Sequence, residues 1–194
     1  MHSSLSPSRR YRRLATQRGI TLIETSVVWA IAAVVMSTVT PSFSGFIENR
    51  RVDSVATNLH ADIQFVRQEA VLRNQPVRLS FYSADSSHSC YVVHTGNHAD
   101  CGCDVNGQAT CTAPTETIKT VAFSAADKVA VLANVNSILF DPLHGTSTPT
   151  GTLKVASKTG RAVHHVVNVM GRVRSCSPIG TATTAAAVPG YRAC

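Results

Sequence analysis

Two arginines near the end of the chain, Arg172 and Arg174, are the side chains best suited to bind a ligand, and they follow Gly171 directly. Residues two apart on a β-strand project to the same face, so the spacing predicts two neighbouring guanidinium groups. Guanidinium forks bind phosphate through paired hydrogen bonds, and a glycine beside them would leave the backbone open to the ligand. The alternative is that both arginines are solvated or pair with acids of the same domain, namely Asp104, Glu116 or Asp127.

The tail of the chain would enlarge this basic site. Residues 142–194 carry six basic side chains and no acidic one. A disulfide between Cys176 and Cys194 would fold the tail back and bring Tyr191 and Arg192 beside the two arginines. Three guanidinium groups and one aromatic ring suit the phosphates and the exposed bases of DNA. The candidate DNA-binding residues are therefore Gly171, Arg172, Arg174, Tyr191 and Arg192.

Six cysteines offer a second kind of chemistry: Cys90, Cys101, Cys103, Cys111, Cys176 and Cys194. An even number in an exported domain favours disulfides, with the first four paired among themselves and the last two paired with each other. The alternative is a zinc site, because four residues of mixed ligand type lie close in sequence: His94, His98, Cys101 and Cys103.

The usual sequence signatures of catalysis are missing. The sequence contains no serine nucleophile elbow, no HExxH motif, no phosphate-binding loop and no dinucleotide fingerprint. His164 and His165 are adjacent, so on a strand their rings would point to opposite faces and could not easily share a site. We therefore predict a protein that is not an enzyme and that binds neither a cofactor nor a metal.

An apolar segment precedes the head that carries these residues. Residues 20–40 contain one charged side chain, Glu24, and as a helix they would span about 30 Å, enough to cross a bilayer. Five arginines and no acid stand before residue 20, which predicts a cytoplasmic N-terminus. A carboxylate in this position needs a partner. If the chain were cut after Gly19, the new amine of Ile20 in a neighbouring subunit would provide one and would set the register of a helical assembly.

The rest of the chain predicts an α+β fold. Apolar residues recur every three or four positions over residues 41–75, which indicates an amphipathic helix that ends before Pro76 and kinks near Pro41. Beyond Pro76 the period changes to two, and short β-branched runs alternate with turn residues. One of these runs predicts a continuous strand over residues 162–173. A helix followed by antiparallel strands is typical of an α+β domain.

The start of the chain resembles the prepilin cleavage and N-methylation site of type IV pilins and type II secretion pseudopilins. The residues that carry this resemblance are Arg18, Gly19, Ile20, Thr21, Leu22, Ile23 and Glu24. The resemblance implies cleavage after Gly19 by a prepilin peptidase and methylation of Ile20. It also implies assembly into a filament, with Glu24 at the position that sets the register.

The head is similar to those of GspH/FimT-type minor pilins and pseudopilins. The similarity lies in Phe140, Asp141, Pro142, Gly145 and residues 166–176. It implies two antiparallel β-sheets packed on the long helix. In FimT-type members, the motif that matches Gly171, Arg172 and Arg174 is implicated in DNA binding during natural transformation.

These inferences predict five segments. They are a cleaved basic leader (residues 1–19), a transmembrane and filament-core helix (20–40), an amphipathic helix (41–75), a β-rich head (76–175) and a cysteine-closed basic tail (176–194). The predicted function is that of a minor pilin that initiates or tips a type IV pilus, with DNA as a further ligand. The alternatives are a type II secretion system pseudopilin and a DNA-uptake receptor of a competence pilus.

The predicted location and partners follow from this function. The chain would cross the inner membrane once before assembly and would then belong to a periplasmic and extracellular pilus. Its partners would be the prepilin peptidase, the other minor and major pilins, the inner-membrane assembly platform and DNA.

Overall fold

The computed structural model describes residues 19–83, 88–104, 106–179 and 187–194, without the side chains of residues 38–42. The predicted leader before Gly19 lies outside the described residues, and so does the side chain of Pro41, where a kink is predicted. The chain forms two compact units, Met1–Phe43 and Ser44–Cys194.

A single long helix, α1, spans Leu22–Arg73. It begins after Thr21, whose hydroxyl accepts a hydrogen bond from the backbone N–H of Glu24 at 3.3 Å, as a capping residue does. It ends where the sequence predicts. Asn74 then adopts a φ of 51°, a left-handed conformation common just after helices, and Pro76 follows.

Within the second unit, α1 buries one apolar stripe against the β-sheets. The stripe consists of Val52, Ala56, Leu59, Ile63, Val66 and Ala70, all fully buried. Asp62 is also buried, and its carboxylate accepts a hydrogen bond from the hydroxyl of Tyr91 at 2.7 Å and pairs with Lys119 at 2.5 Å. This polar contact fixes the helix on the sheet beside the apolar core.

The strands of the described head form two five-stranded sheets and one short hairpin. The first sheet has the order β5 (Thr117–Phe123), β2 (Ser89–Thr95), β1 (Val77–Ser83), β7 (Ser137–Phe140) and β8 (Ser147–Thr148). The second has the order β12 (Arg192–Ala193), β11 (Val173–Ser177), β10 (Ala162–Val167), β9 (Gly151–Ser157) and β6 (Val129–Ala133). The hairpin consists of β3 (Cys101–Cys103) and β4 (Ala109–Cys111).

The α+β prediction, a long helix packed on two mainly antiparallel sheets, is confirmed, and the structure differs from it at three places. The prediction of one strand over residues 162–173 is wrong, because residues 168–172 form a turn between β10 and β11. The tail adds β12, which pairs parallel with β11, whereas the sequence predicted antiparallel strands alone. The hairpin of β3 and β4 lies in a cysteine-rich interval for which the sequence predicted no strands.

Candidate functional site

The predicted processing site lies at the start of α1. Gly19 and Ile20 are exposed, and Ile20 keeps 78% of its surface open. Glu24 stands in the first turn of the helix and is exposed too. Its carboxylate has no hydrogen-bond or ion-pair partner among residues 19–83 or the other described segments.

The first turns of α1 carry apolar side chains on all sides. Those more than half exposed are Leu22, Ile23, Val27, Val28, Trp29, Ile31, Val34, Val35 and Met36. The described part of the chain thus leaves this segment largely uncovered. None of the helices in the described residues is both long enough and apolar enough to span a membrane.

The structure places the arginine motif differently from the prediction. Arg172 ends the turn over residues 168–172, and its N–H donates to the side-chain oxygen of Asn168 at 2.9 Å. Arg174 belongs to β11, opposite Val166 of β10. The two arginines therefore do not lie side by side on one strand, although both are exposed.

Gly171 is a packing residue, which corrects the prediction that it leaves the backbone open to a ligand. It is buried and has a φ of 70°. A Cβ added there would lie 2.7 Å from the carbonyl oxygen of Gly145, closer than real Cβ atoms come to other groups. The same carbonyl accepts a hydrogen bond from Nε of Arg67 at 3.0 Å. The close approach of two turns requires glycine here.

The alternative that Arg172 and Arg174 pair with acids across the head is wrong. Glu116 pairs with Arg73 at 2.9 Å, while Asp104 and Asp127 accept hydrogen bonds from their own loops. Within the described residues, Arg172 and Arg174 make no side-chain hydrogen bond or ion pair. These guanidinium groups are free.

The tail brings Arg192 to the second sheet and packs Tyr191 partly against the head. Cys176 and Cys194 form a disulfide, and Arg192 lies opposite Cys176 in the register of β11 and β12. The hydroxyl of Tyr191 donates to Asp53 at 2.9 Å, and its ring packs on the hydrophobic core. Stacking of Tyr191 on an exposed base therefore stays a prediction, and these contacts do not favour it. Residues 180–186 of the tail lie outside the described residues.

Two further residues extend the basic surface, and the sequence analysis did not assign them to it. His164 of β10 lies opposite both Lys154 of β9 and Cys176 of β11. Opposite residues of neighbouring strands share a face. We call the outer face of the second sheet that carries Lys154, His164, Arg174 and Arg192 the basic face. The alternation of β9 and β10 could have indicated it, but only with the strand register known.

The two adjacent histidines lie on opposite faces of β10. His165 is buried, where Nε2 is 2.9 Å from the carbonyl oxygen of Ala56 and Nδ1 is 2.8 Å from Oγ of Ser175. Burial lowers the pKa of His165 to about 4. Partial burial, and then the charge of Lys154, lower the pKa of His164. The pair does not form one site.

The carboxylates of the described head are all engaged within the molecule. From Ser44 onward they are Glu48, Asp53, Asp62, Glu69, Asp100, Asp104, Glu116, Asp127 and Asp141, and each accepts a hydrogen bond. Several exposed cations have no such partner. From Ser44 onward the described head has 13 Lys and Arg side chains against these nine carboxylates, so its net charge is positive.

The cysteines form disulfides, and the first four pair among themselves. Cys90 pairs with Cys103, and Cys101 pairs with Cys111. The zinc alternative is wrong, because these bonds leave Cys101 and Cys103 without a thiolate. His94, one of the two histidines of the predicted zinc site, has its Nε2 within 2.9 Å of Oγ of Ser80.

A comparison with protein families decides the classification. The family model for the type II transport protein GspH matches residues 55–171, more than half of the chain. The chain belongs to the GspH family. It is therefore a minor pilin or pseudopilin, and members of this class are structural subunits that contact other pilins. They are anchored in a membrane before they join a pilus.

Solved structures similar to this GspH-family chain include two crystal structures of the type IV minor pilin FimU from Pseudomonas aeruginosa strain PAO1. The first is 17% identical with a TM-score of 0.47, and the match covers 66% of this chain and 90% of that one. The second is 15% identical with a TM-score of 0.45, and the match covers 65% and 96%. No curated protein sequence matches the chain significantly.

Proposed function

We propose that this GspH-family chain is a non-enzymatic minor pilin that initiates or tips a type IV pilus. One observation carries the proposal: an exposed apolar helix start that presents a lone carboxylate, Glu24, directly after Gly19 and Ile20. Apolar side chains on all sides of a helix are stable only in a membrane or among neighbouring helices. The prepilin peptidase would cut after Gly19, and the assembly platform would lift the subunit from the inner membrane.

In this mechanism Glu24 sets the axial register. Its carboxylate would accept the methylated amine of Ile20 from a neighbouring subunit, because an unpaired charge among apolar helices is costly. A type II secretion pseudopilin shares this chemistry and is the alternative. We favour a pilus because the disulfides and the cysteine-closed tail suit a filament exposed outside the cell.

The test is the variant Glu24→Val, followed through the membrane and filament fractions of cells. We expect normal membrane insertion and strongly reduced incorporation, since the change removes the amine's partner while making burial easier. Thr25→Val, one position away, is the matched control and should incorporate normally. Incorporation of Glu24→Val at the wild-type level would overturn the register mechanism. Deletion of the chain should abolish surface pili and spare protein secretion, and the reverse result would favour the pseudopilin.

We further propose DNA binding at the basic face, together with Arg172. The supporting observation is that Lys154, Arg172, Arg174 and Arg192 are exposed, without partners in the described residues, on a part of the chain that has no acids. Phosphate groups of DNA would pair with these cations, and each contact would release about one counterion from the DNA. A role as the DNA-uptake receptor of a competence pilus would follow from this activity.

A salt titration of DNA binding tests this second function. Arg172→Ala with Arg174→Ala should weaken binding to every sequence and reduce the log–log salt slope by about one to two. The control is Arg50→Ala with Arg51→Ala, which removes the same charge from α1 and should leave the slope unchanged. Equal effects of the two pairs, or no binding by the wild-type chain at about 50 mM salt, would refute DNA binding at this face.

A further inference from the structure

Two turns from different sheets pack against each other at one place on the head. Residues 141–146 connect β7 to β8 in the first sheet, and residues 168–172 connect β10 to β11 in the second. The N–H of Ser147 donates to the carbonyl oxygen of Val169 at 2.9 Å, and Gly171 packs on the carbonyl of Gly145. We call these two turns the turn platform.

Arg67 of α1 contacts both turns of the turn platform. Arg67 donates from Nε to the carbonyl oxygen of Gly145 at 3.0 Å, and the aliphatic carbons of its side chain approach both glycines. The hydroxyl of Ser147 donates to the carbonyl oxygen of Asn168 at 2.6 Å. A helix and two sheets thus fix the platform, and a rigid surface loses little conformational entropy when it binds a partner.

Large apolar side chains stand exposed on the turn platform. Leu143 keeps 76% of its surface open, Val169 55% and Met170 57%. Turns usually carry small or polar residues at such positions. Three large apolar residues on two adjoining turns are typical of a surface that another protein covers.

The charges around the turn platform identify the kind of partner. The carboxylate of Asp141 accepts hydrogen bonds from the N–H groups of Leu143 and His144, so it is occupied, whereas Arg172 is exposed and free. A partner that covers the platform must bring a carboxylate to Arg172. A second copy of this chain fits poorly, because its described head carries 13 basic side chains against nine acidic ones, and residues 142–194, which include most of the platform, contain no acid.

We propose that the turn platform docks a different pilin-class subunit, which inserts an apolar side chain flanked by a carboxylate. The inference rests on the proposed incorporation into a filament. Where the partner is docked, Arg172 would pair with its carboxylate, and DNA would be left to Lys154, Arg174 and Arg192. Hydrophobic contact would supply affinity, and the ion pair with Arg172 would exclude partners that lack the acid.

Photo-cross-linking in cells that assemble filaments identifies the occupant. Benzoylphenylalanine is placed at position 143 or 170 of the full-length chain, and at position 72 as a control, since Leu72 is 80% exposed at the end of α1. We expect an adduct with another pilin-class subunit from positions 143 and 170 and none from position 72. An adduct with a second copy, an adduct with lipid, or no adduct from a chain present in filaments would overturn the proposal.

Substitution gives an independent measurement. Leu143→Asp with Met170→Asp should lower filament incorporation by roughly tenfold, because the new charges repel the acidic partner and remove apolar contact. Leu72→Asp should have no such effect. The double variant must keep its disulfides and the urea midpoint of the wild-type chain, which shows that it is folded. Wild-type incorporation by that folded variant would refute docking here, whereas absence of the wild-type chain from filaments would instead refute the proposed function.

Discussion

Among single residues, the structure gives some of the predicted ligand-binding positions a packing role. Gly171 and Tyr191 were expected to serve a ligand, yet one packs between two turns and the other donates to Asp53. Arg172 and Arg174 remain available because local loops and other cations use the acids that could have paired with them. Arg172 and Arg174 lack ion-pair partners because the acids Asp104, Glu116 and Asp127 bond to other groups.

Gly171→Ala should destabilise the head by about 2 to 3 kcal/mol, since alanine adds both a disfavoured positive φ and a contact with the carbonyl of Gly145. Gly190→Ala is the matched control. Gly190 also has a positive φ, 93°, but a Cβ there would meet no atom within 4 Å. The variant Gly190→Ala should lose only about 1 kcal/mol of unfolding free energy. Urea unfolding measures both, and equal losses would contradict the packing role of Gly171.

The buried ring of His165 should make stability depend on pH. Its pKa in the folded chain is about 4, whereas an unfolded histidine titrates near 6.5. The unfolded chain therefore binds the extra proton first. The stability contribution of the neutral ring is present above about pH 6.5 and is lost as the pH falls toward 4, a change of roughly 3 kcal/mol.

Unfolding free energies between pH 7 and pH 4 test this pH dependence. His165→Gln should flatten the slope, because glutamine does not titrate. A variant His165→Gln with an unchanged pH dependence would exclude His165 as its source.

At the scale of elements, the second sheet acquires its basic character through strand pairing. β9, β10 and β11 each contribute one outward-facing residue to a row that continues to Arg192 in β12. The two-residue strand β12 pairs with β11 beside a disulfide. Without this covalent link, so short a strand would not hold its position.

Cys176→Ser with Cys194→Ser should release β12 and lower the unfolding free energy by about 3 kcal/mol, the loop entropy of such a closure. Hydrogen exchange at Arg192 and Ala193 should then become fast, while exchange within β10 stays slow. DNA binding should weaken less than in the double arginine variant, because only Arg192 moves away. Slow exchange at Arg192 in the cysteine variant would indicate that the strand holds itself.

In the molecule as a whole, the two compact units differ in where their apolar side chains lie. The buried core draws on residues from Val52 onward, whereas the exposed apolar side chains of α1 start at Leu22. In the proposed mechanism, assembly depends on the start of α1, whereas the stability of the head depends on α1 from Val52 onward.

A fragment that begins at Ser44 should consequently fold alone. We expect its urea midpoint to match that of the full-length chain in detergent, and we expect no entry into filaments. A clearly lower midpoint would mean that the first unit contributes to the stability of the head.

Elements with local causes could be predicted from the amino-acid sequence. The three-to-four spacing from Val52 to Ala70 predicted the buried face of α1, Pro76 predicted its end, and the alternation after Pro76 predicted most strands. The processing motif from Gly19 to Glu24 is likewise readable from a few adjacent residues, and it remains a prediction. These features depend on neighbours in the chain.

Only the tertiary structure decided which residues meet. The turn at residues 168–172 interrupts a run that is β-branched on both sides. Glycine is required at position 171 because a Cβ there would clash with the carbonyl oxygen of Gly145, which lies far away in sequence. The basic face joins Lys154 to Arg192 through the register of four strands, and period-two alternation does not specify register. Arg172 is left without a partner because the acids of the described head lie elsewhere and bond to other groups, and their placement depends on how the head packs.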